Sequence, residues 1–177
     1  MQMSDDIYFD TDCLSSFLWI NNTSILEKLY CDRIVIPEPV YIELSNPCVP
    51  HLRQQTDQLL NDHIAKRCDL LCDTQEYELY RKLINNPKIC IGKGEAAGIA
   101  LAKTHNGVLA SNNYKDISNY VEQYNLKHLD TGLILKEALK KELITESTGN
   151  RMWTSMKLRK RKLPYQTFTE FLKNNRQ

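Results

Sequence analysis

Residues 92–111 read GKGEAAGIALAKTHNGVLAS, and this stretch decides the fold class. Its first part is rich in alanine and favours a helix, which we expect to end with Gly107 as the residue just past its last turn. The apolar run VLAS that follows is typical of a short buried strand. The stretch therefore predicts a helix that leads directly into a strand.

Short strands and helices alternate along the rest of the chain. Strands are predicted for IYFD (7–10), RIVIP (33–37) and LKHLD (126–130), with a brief strand or turn for DLLC (69–72). Helical spacing of apolar residues predicts helices over 51–67, 114–124 and 131–144, among others. Because such alternation favours parallel strands, we expect an α/β fold: a three-layer, doubly wound, mostly parallel sheet.

Length and composition exclude several classes of protein. At 177 residues the chain suits one core, and 42% apolar with 25% charged residues excludes wholesale disorder. No run approaches the roughly 20 apolar residues that span a bilayer, and the acidic start is unlike a signal peptide. We therefore expect a cytoplasmic protein with reduced cysteines and no membrane partner.

Charge is distributed unevenly. Residues 151–177 hold eight Lys or Arg against one acid, a net charge of +7, whereas the remainder carries −6. We divide the chain into a main domain, 1–145, and a basic helical C-terminal extension, 146–177, packed on it. Four residues of the extension are candidates for contacts with nucleic-acid phosphates: Arg159, Lys160, Arg161 and Lys162. The alternative is a solvated basic face.

Aromatic residues accompany this basic segment. Trp153, Tyr165 and Phe168 offer faces on which bases could stack. Large rings at helical spacing more often belong to a core, because their burial dominates packing energetics. The sequence favours the core interpretation for these three residues.

Acidic residues fall where ligands bind in an open parallel sheet, beyond the carboxyl ends of the strands. Asp10 ends the first strand, Asp130 ends the last, and Glu95 opens the helix before VLAS. Carboxylates that converge in one crevice repel each other unless a divalent cation such as Mg²⁺ or Mn²⁺ joins them. Such a site suits phosphodiester hydrolysis, although acids at these places also serve as helix N-caps.

Five segments together resemble one known family, the PIN-domain nucleases, and particularly the VapC-like toxins of bacterial and archaeal toxin–antitoxin pairs. The resemblance covers residues 7 to 145, and GEAAGIALA before a strand is its most specific element. The segments are IYFDTDCLSSFL (7–18), EPVYIEL (38–44), GKGEAAGIALA (92–102), VLASNNYKD (108–116) and TGLILKEALKKELI (131–144).

The resemblance implies a metal-dependent endoribonuclease acting on RNA, usually dimeric and often silenced by a partner antitoxin. Asp10, Glu43 and Glu95 match the first three acids of the family's site. Asn113 stands where members usually have Asp, and Asp116 matches a further acid. We expect one Mg²⁺ or Mn²⁺ held by Asp10 and Glu95 with support from Glu43 and Asp116, while Asn113 orients the attacking water.

Two other interpretations stay open at this stage. Because Asn113 contributes no charge, the chain could be a degenerate PIN domain that binds RNA or a protein without cutting. DTDCL after the first strand also resembles the D-x-D motif of haloacid-dehalogenase-type phosphatases, with Asp10 as nucleophile and Asp12 as acid. The chain lacks that family's later acidic pair, so this is the weakest of the three readings.

Overall fold

The computed structural model describes residues 5–87 and 89–175. In that part of the chain, five parallel strands form one sheet in the order β3-β2-β1-β4-β5. The strands are short and their bounds are β1 Ile7–Phe9, β2 Ile34–Pro37, β3 Ala65–Cys68, β4 Val108–Ala110 and β5 Lys127–Leu129. This all-parallel sheet confirms the predicted α/β class.

Ten helices connect and cover the strands in the described residues: α1 Thr11–Trp19, α2 Ser24–Tyr30, α3 Glu38–Leu44, α4 Pro50–Asn61, α5 Gln75–Ile84, α6 Lys93–Thr104, α7 Tyr114–Tyr124, α8 Thr131–Lys140, α9 Glu146–Leu158 and α10 Phe168–Asn174. None of these helices has the length and apolar character needed to cross a membrane.

The chain reverses its direction of travel across the sheet at β1. It passes outward from β1 through β2 to β3, and then returns to place β4 on the other side of β1. The connections that leave β1 and β4 therefore diverge to opposite faces, which opens a crevice at the carboxyl ends of these two strands. This point is where the fold offers a binding site.

Alternate side chains of β1 enter two separate cores. Ile7 and Phe9 pack with α1, α2, α8, α9 and α10 on one face of the sheet. Tyr8 packs with α5, α6 and α7 on the other face. Because helices cover both faces, the strand is apolar at every position, and the molecule has the three layers that the sequence predicts.

Two local predictions are wrong, and a third is narrowed. The helix predicted over 51–67 ends at Asn61, because His63 adopts a left-handed backbone (φ 56°) and the chain turns into β3. That strand is AKRC (65–68), and of the strand or turn predicted for DLLC (69–72) the structure has a turn, which begins at Cys72. The left-handed residue after α6 is Asn106 (φ 52°) and not Gly107.

Gly107 is required by close packing and not by a left-handed backbone. A Cβ there would lie 2.6 Å from Cε2 of Tyr8 and 2.7 Å from the carbonyl oxygen of Asp6. The N–H of Gly107 donates to the Ala102 carbonyl at 2.9 Å, which closes the end of α6. The residue thus permits close packing where α6 turns into β4.

Helices α9 and α10 add an aromatic cluster to the core. Trp153 and Phe168 are fully buried, and Phe171 is nearly so. The centroid of the Trp153 ring lies 5.9 Å from that of Phe168 and 5.5 Å from that of Phe171. Trp153 and Phe168 are therefore core residues, as the sequence favours, and offer no stacking face.

Small residues make room for these rings, and replacing one should destabilise the protein. A Cβ at Gly149 would lie 2.3 Å from Cδ1 of Phe168. We expect Gly149→Ala to lower the free energy of unfolding by about 1–2 kcal/mol, since overpacking outweighs the better helix propensity of alanine. Urea unfolding measures this, with the exposed neighbour Ser147→Ala as control. Equal loss in both variants would contradict the packing argument.

Candidate functional site

The carboxyl edge of the sheet gathers the predicted site residues. Asp10 directly follows β1, and Asn113 lies three residues beyond β4. Glu95 is in the first turn of α6, which packs over β1 and β4. Asp116 lies in the first turn of α7, the helix that leaves β4. The topology thus places four of the predicted residues around the crevice.

Asp10 is the buried centre of this site. Its side chain is 1% exposed, and its Oδ1 accepts the N–H of Cys13 at 2.7 Å, which caps α1. Its Oδ2 is buried and makes no hydrogen bond of normal geometry to any residue that the structure describes, although the nearby Ser111 side chain interacts with the carboxyl. Burial raises the pKa of the carboxyl to about 7, against the opposing effects of Ser111 and the Cys13 N–H, and the negative charges of Asp12 and Glu95 raise it further.

Asn113 joins two carboxylates. Its Nδ2 donates to Oε1 of Glu95 at 2.7 Å and to Oδ2 of Asp116 at 2.6 Å. The other oxygen of Glu95, Oε2, accepts the N–H of Gly92 at 2.9 Å and so caps α6. A neutral amide therefore holds the two acids together at a position where an aspartate would repel both.

Glu43 connects two helix starts beside Asp10 and Glu95. It projects from α3, where its Oε1 accepts the N–H of Gly94 at 3.3 Å and its Oε2 accepts the hydroxyl of Thr11. Gly94 has no room for a side chain, because a Cβ would lie 3.0 Å from Oγ1 of Thr11. Glu43 thus fixes the chain next to both acids, and the side chain itself is exposed.

Asn112 contributes a contact that the sequence analysis did not predict. Its Nδ2 donates to the Asp12 carbonyl at 3.3 Å and to Oγ of Ser16 at 3.2 Å, and its Oδ1 accepts the N–H of Thr131 at 2.9 Å. The residue ties the end of β4 to α1 and α8. Two polar residues after the apolar strand β4 indicate such a contact in the sequence. No local feature of the sequence, however, distinguishes Asn112 from Asn113.

The basic extension reaches the same edge. Nη1 of Arg161 lies 3.5 Å from Oδ1 of Asp12 and 3.2 Å from Oγ of Ser15, and its guanidinium lies 5.9 Å from the centroid of the Trp19 ring. The guanidinium of Arg159 lies 5.8 Å from the same ring. Arg161 is half-buried in protein contacts, whereas Lys160 and Lys162 are exposed.

These contacts also bear on Asp12. The phosphatase interpretation needs this residue as a general acid, but here its carboxylate pairs with Arg161 of the extension. The ion pair thus engages the carboxylate that the D-x-D motif would use as the general acid.

The donor set fits one divalent cation only in part. Among residues 5–87 and 89–175 no group of three or more His, Cys, Asp or Glu side chains is arranged to hold a metal. The buried Oδ2 of Asp10 nevertheless lies in the electrostatic field of Glu95, which is half-buried, and a cation near these two carboxylates would offset their repulsion. Asp10 and Glu95 are therefore the residues that would hold an ion here.

Comparison with known proteins shows the family. A family model described as PIN domain matches residues 6–176, nearly the whole chain. The chain therefore belongs to the PIN-domain family, whose members are generally hydrolytic nucleases that use divalent metals, and the resemblance noted in the sequence is confirmed.

Solved structures were compared as well. One match is a chain in the crystal structure of VapBC2 from Rickettsia felis bound to a DNA fragment from their promoter. It is 18% identical, the alignment covers 70% of this chain and 98% of that chain, and the TM-score is 0.46. The comparison with curated proteins found no match.

The raised pKa of Asp10 predicts a pH dependence of stability in metal-free protein. Folded Asp10 keeps its proton up to a pKa of about 7, whereas the unfolded side chain loses it near 3.8. The folded state binds more protons in this window, so this contribution to stability is present below pH 4 and lost by about pH 7. At about 1.4 kcal/mol per pKa unit, the loss is at most about 4 kcal/mol.

Urea unfolding of wild type and Asp10→Asn in EDTA, from pH 4 to pH 8, isolates this contribution. The stability of the variant relative to wild type should increase as pH rises, because asparagine has no proton to lose. Glu122→Gln, at an exposed position of α7, should keep the pH dependence of wild type. A constant difference between Asp10→Asn and wild type would refute the assignment.

Proposed function

We propose that this chain is a Mg²⁺- or Mn²⁺-dependent endoribonuclease in which Asp10 and Glu95 hold the ion. The observation that carries the proposal is the buried Oδ2 of Asp10 at the switch point of the sheet, which makes no hydrogen bond among the described residues and lies in the electrostatic field of Glu95. A buried carboxylate oxygen without a hydrogen bond is costly to maintain, and a cation removes that cost. When bound, the ion supplies Lewis-acid polarisation of the phosphoryl oxygen and lowers the pKa of a water molecule.

The remaining residues have supporting roles in this proposal. Asn113 holds Glu95 and Asp116 through its amide nitrogen, and its carbonyl oxygen is available to orient the attacking water. Asp116 adds negative charge that helps to hold the ion. Glu43 positions the starts of α1 and α6 through Thr11 and Gly94.

Biological context follows from the family. We propose that the protein is the cytoplasmic toxin of a toxin–antitoxin pair, with RNA as substrate, and that an antitoxin and a second copy of the chain are its partners. We also propose the division into a main domain, 1–145, and a basic extension, 146–177. In the structure Trp153 and Phe168 of this extension lie in the same apolar core as Phe9 and Phe17.

A second candidate function has its own supporting observation. The amide of Asn113 stabilises the contact between Glu95 and Asp116 without a cation, because its Nδ2 donates a hydrogen bond to both. This arrangement suits a PIN domain that binds RNA or a protein without cutting. The two candidates differ in what Glu95 does.

Replacing Glu95 by glutamine separates them. Glutamine keeps one acceptor oxygen, which can still accept the Gly92 N–H and cap α6, while the hydrogen bond from Asn113 and one metal-binding charge are lost. We expect Glu95→Gln to lower the rate of cleavage of labelled RNA by at least about 100-fold, since even the loss of groups behind metal ligands costs 10- to 100-fold. EDTA should abolish cleavage by wild type.

The exposed Glu122→Gln on α7 serves as control and should cleave at the wild-type rate. Cleavage by Glu95→Gln at the wild-type rate, or cleavage in EDTA, would exclude the proposed mechanism. RNA binding without any cleavage by wild type in Mg²⁺ and Mn²⁺ would favour the non-cutting candidate.

Restoring an acid at position 113 should strengthen metal binding. Asn113→Asp adds a negative charge between Glu95 and Asp116 and removes the amide that joins them. We expect Mn²⁺ to bind at least about tenfold more tightly, and the metal-free variant to unfold more easily because like charges then meet. Titration calorimetry and urea unfolding measure these changes, with the exposed Asn119→Asp as control. Unchanged Mn²⁺ affinity would argue against a cation at this position.

A further inference from the structure

A groove of about 540 Å³ adjoins the acidic site and is shared between the body of the protein and the basic extension. Asn113, which holds Glu95 and Asp116, lies at one border of it. From there the groove runs between Tyr114 and Lys115 at the start of α7 and the segment from Lys162 to Tyr165. Asn113 is thus shared between the acidic site and the groove.

Tyr114 offers an aromatic face in this groove. The residue is 50% exposed, which is unusual for a large ring in this structure. Its ring is backed by the half-buried His128, with centroids 5.5 Å apart and planes at 44°. Nε2 of His128 lies 2.8 Å from the Ser111 carbonyl, so the backing ring is fixed to the end of β4. The groove therefore contains a supported but uncovered aromatic surface.

Two lysines line the same groove. Lys115 and Lys162 are both exposed, and neither makes an ion pair with any residue in the part of the chain that the structure describes. Lys115 is in the first turn of α7, where the helix dipole adds to its positive field. The groove combines unneutralised positive charge with a ring, as sites for single-stranded nucleic acid do.

The segment that carries Lys162 is held at both ends. Arg161 anchors it to Asp12 and Ser15 of α1. The carbonyl of Tyr165 accepts Nε1 of the buried Trp153 at 3.0 Å and Nζ of Lys157 at 3.3 Å. This wall of the groove is therefore in place before a ligand arrives, which reduces the entropy lost on binding.

We propose that the groove binds one nucleotide of single-stranded RNA that neighbours the cleaved phosphodiester, with the base stacked on Tyr114 and a phosphate between Lys115 and Lys162. This proposal rests on the proposed ribonuclease function and adds a binding subsite to it. The carboxylate of Asp130 also lines the groove. It repels phosphate and accepts hydrogen bonds from amino groups, so the base and not the phosphate belongs at that end.

Binding is measured without cleavage, by fluorescence anisotropy of a labelled single-stranded RNA with Glu95→Gln protein in EDTA. In this background, Tyr114→Ala should weaken binding by about 5- to 100-fold, the range that corresponds to the loss of one base stack. Tyr114→Phe keeps the ring and should bind like its parent. Equal weakening by both variants would contradict stacking.

The lysines are tested by the salt dependence of the same binding. The double variant Lys115→Ala/Lys162→Ala should reduce the slope of log K against log salt by about 0.7, since each phosphate neutralised on a single strand contributes about that much. Lys28→Ala/Lys140→Ala removes two exposed lysines that do not line the groove, and should reduce the slope less. Equal reductions would mean that charge acts at long range and not in the groove.

Cleavage assays separate failure of this proposal from failure of the proposed function. With Glu95 intact, Tyr114→Ala should raise KM more than it lowers kcat, because the residue binds RNA away from the reacting atoms. If wild type cleaves RNA but KM and Kd are unchanged in the groove variants, the proposed subsite is wrong and the proposed ribonuclease function stands. Absence of RNA binding by wild type overturns both.

Discussion

Burying the Asp10 carboxylate at the end of β1 costs free energy, because one of its oxygens accepts a hydrogen bond and the other accepts none from the part of the chain that the structure describes. The sheet makes this burial unavoidable, since β1 lies at its centre and helices cover both of its faces. Protonation relieves part of the cost, which is why the pKa is raised to about 7. At neutral pH the negative charge of Glu95 adds to this cost, and a cation would lower the cost more effectively than protonation does.

Capping and ligand binding are compatible roles for the acids of this edge. Asp10 uses Oδ1 to cap α1 and keeps Oδ2 for another partner, while Glu95 caps α6 with Oε2 and directs Oε1 to Asn113. The cap fixes the position of each carboxylate and leaves its second oxygen for another contact. In this fold, an acid that caps a helix with one oxygen can therefore also bind a ligand with the other.

Sequence patterns predict the structural features that depend on residues close together in the chain. They do not predict the features that depend on contacts between distant residues. Local spacing predicts the helix and strand of 92–110 and the acids at the strand ends. It does not predict β3, because AKRC is mostly exposed and lacks an apolar pattern. Asn113 is visible as a departure from the family, but its two hydrogen bonds depend on where α6 and α7 meet. The ion pair of Arg161 with Asp12 joins residues that no local signal connects.

Apolar packing, more than charge, decides where the basic extension lies. The ion pair of Arg161 with Asp12 is 3.5 Å long and partly exposed, so it contributes at most about 1 kcal/mol. Burial of a large ring such as Trp153 or Phe168 contributes more, and Gly132 and Gly149 leave the space that the rings of α10 occupy. Because packing anchors the extension, the exposed charges of Lys160 and Lys162 are not needed to hold it in place. Lys162, which lines the groove, is thereby left for the proposed contact with a phosphate.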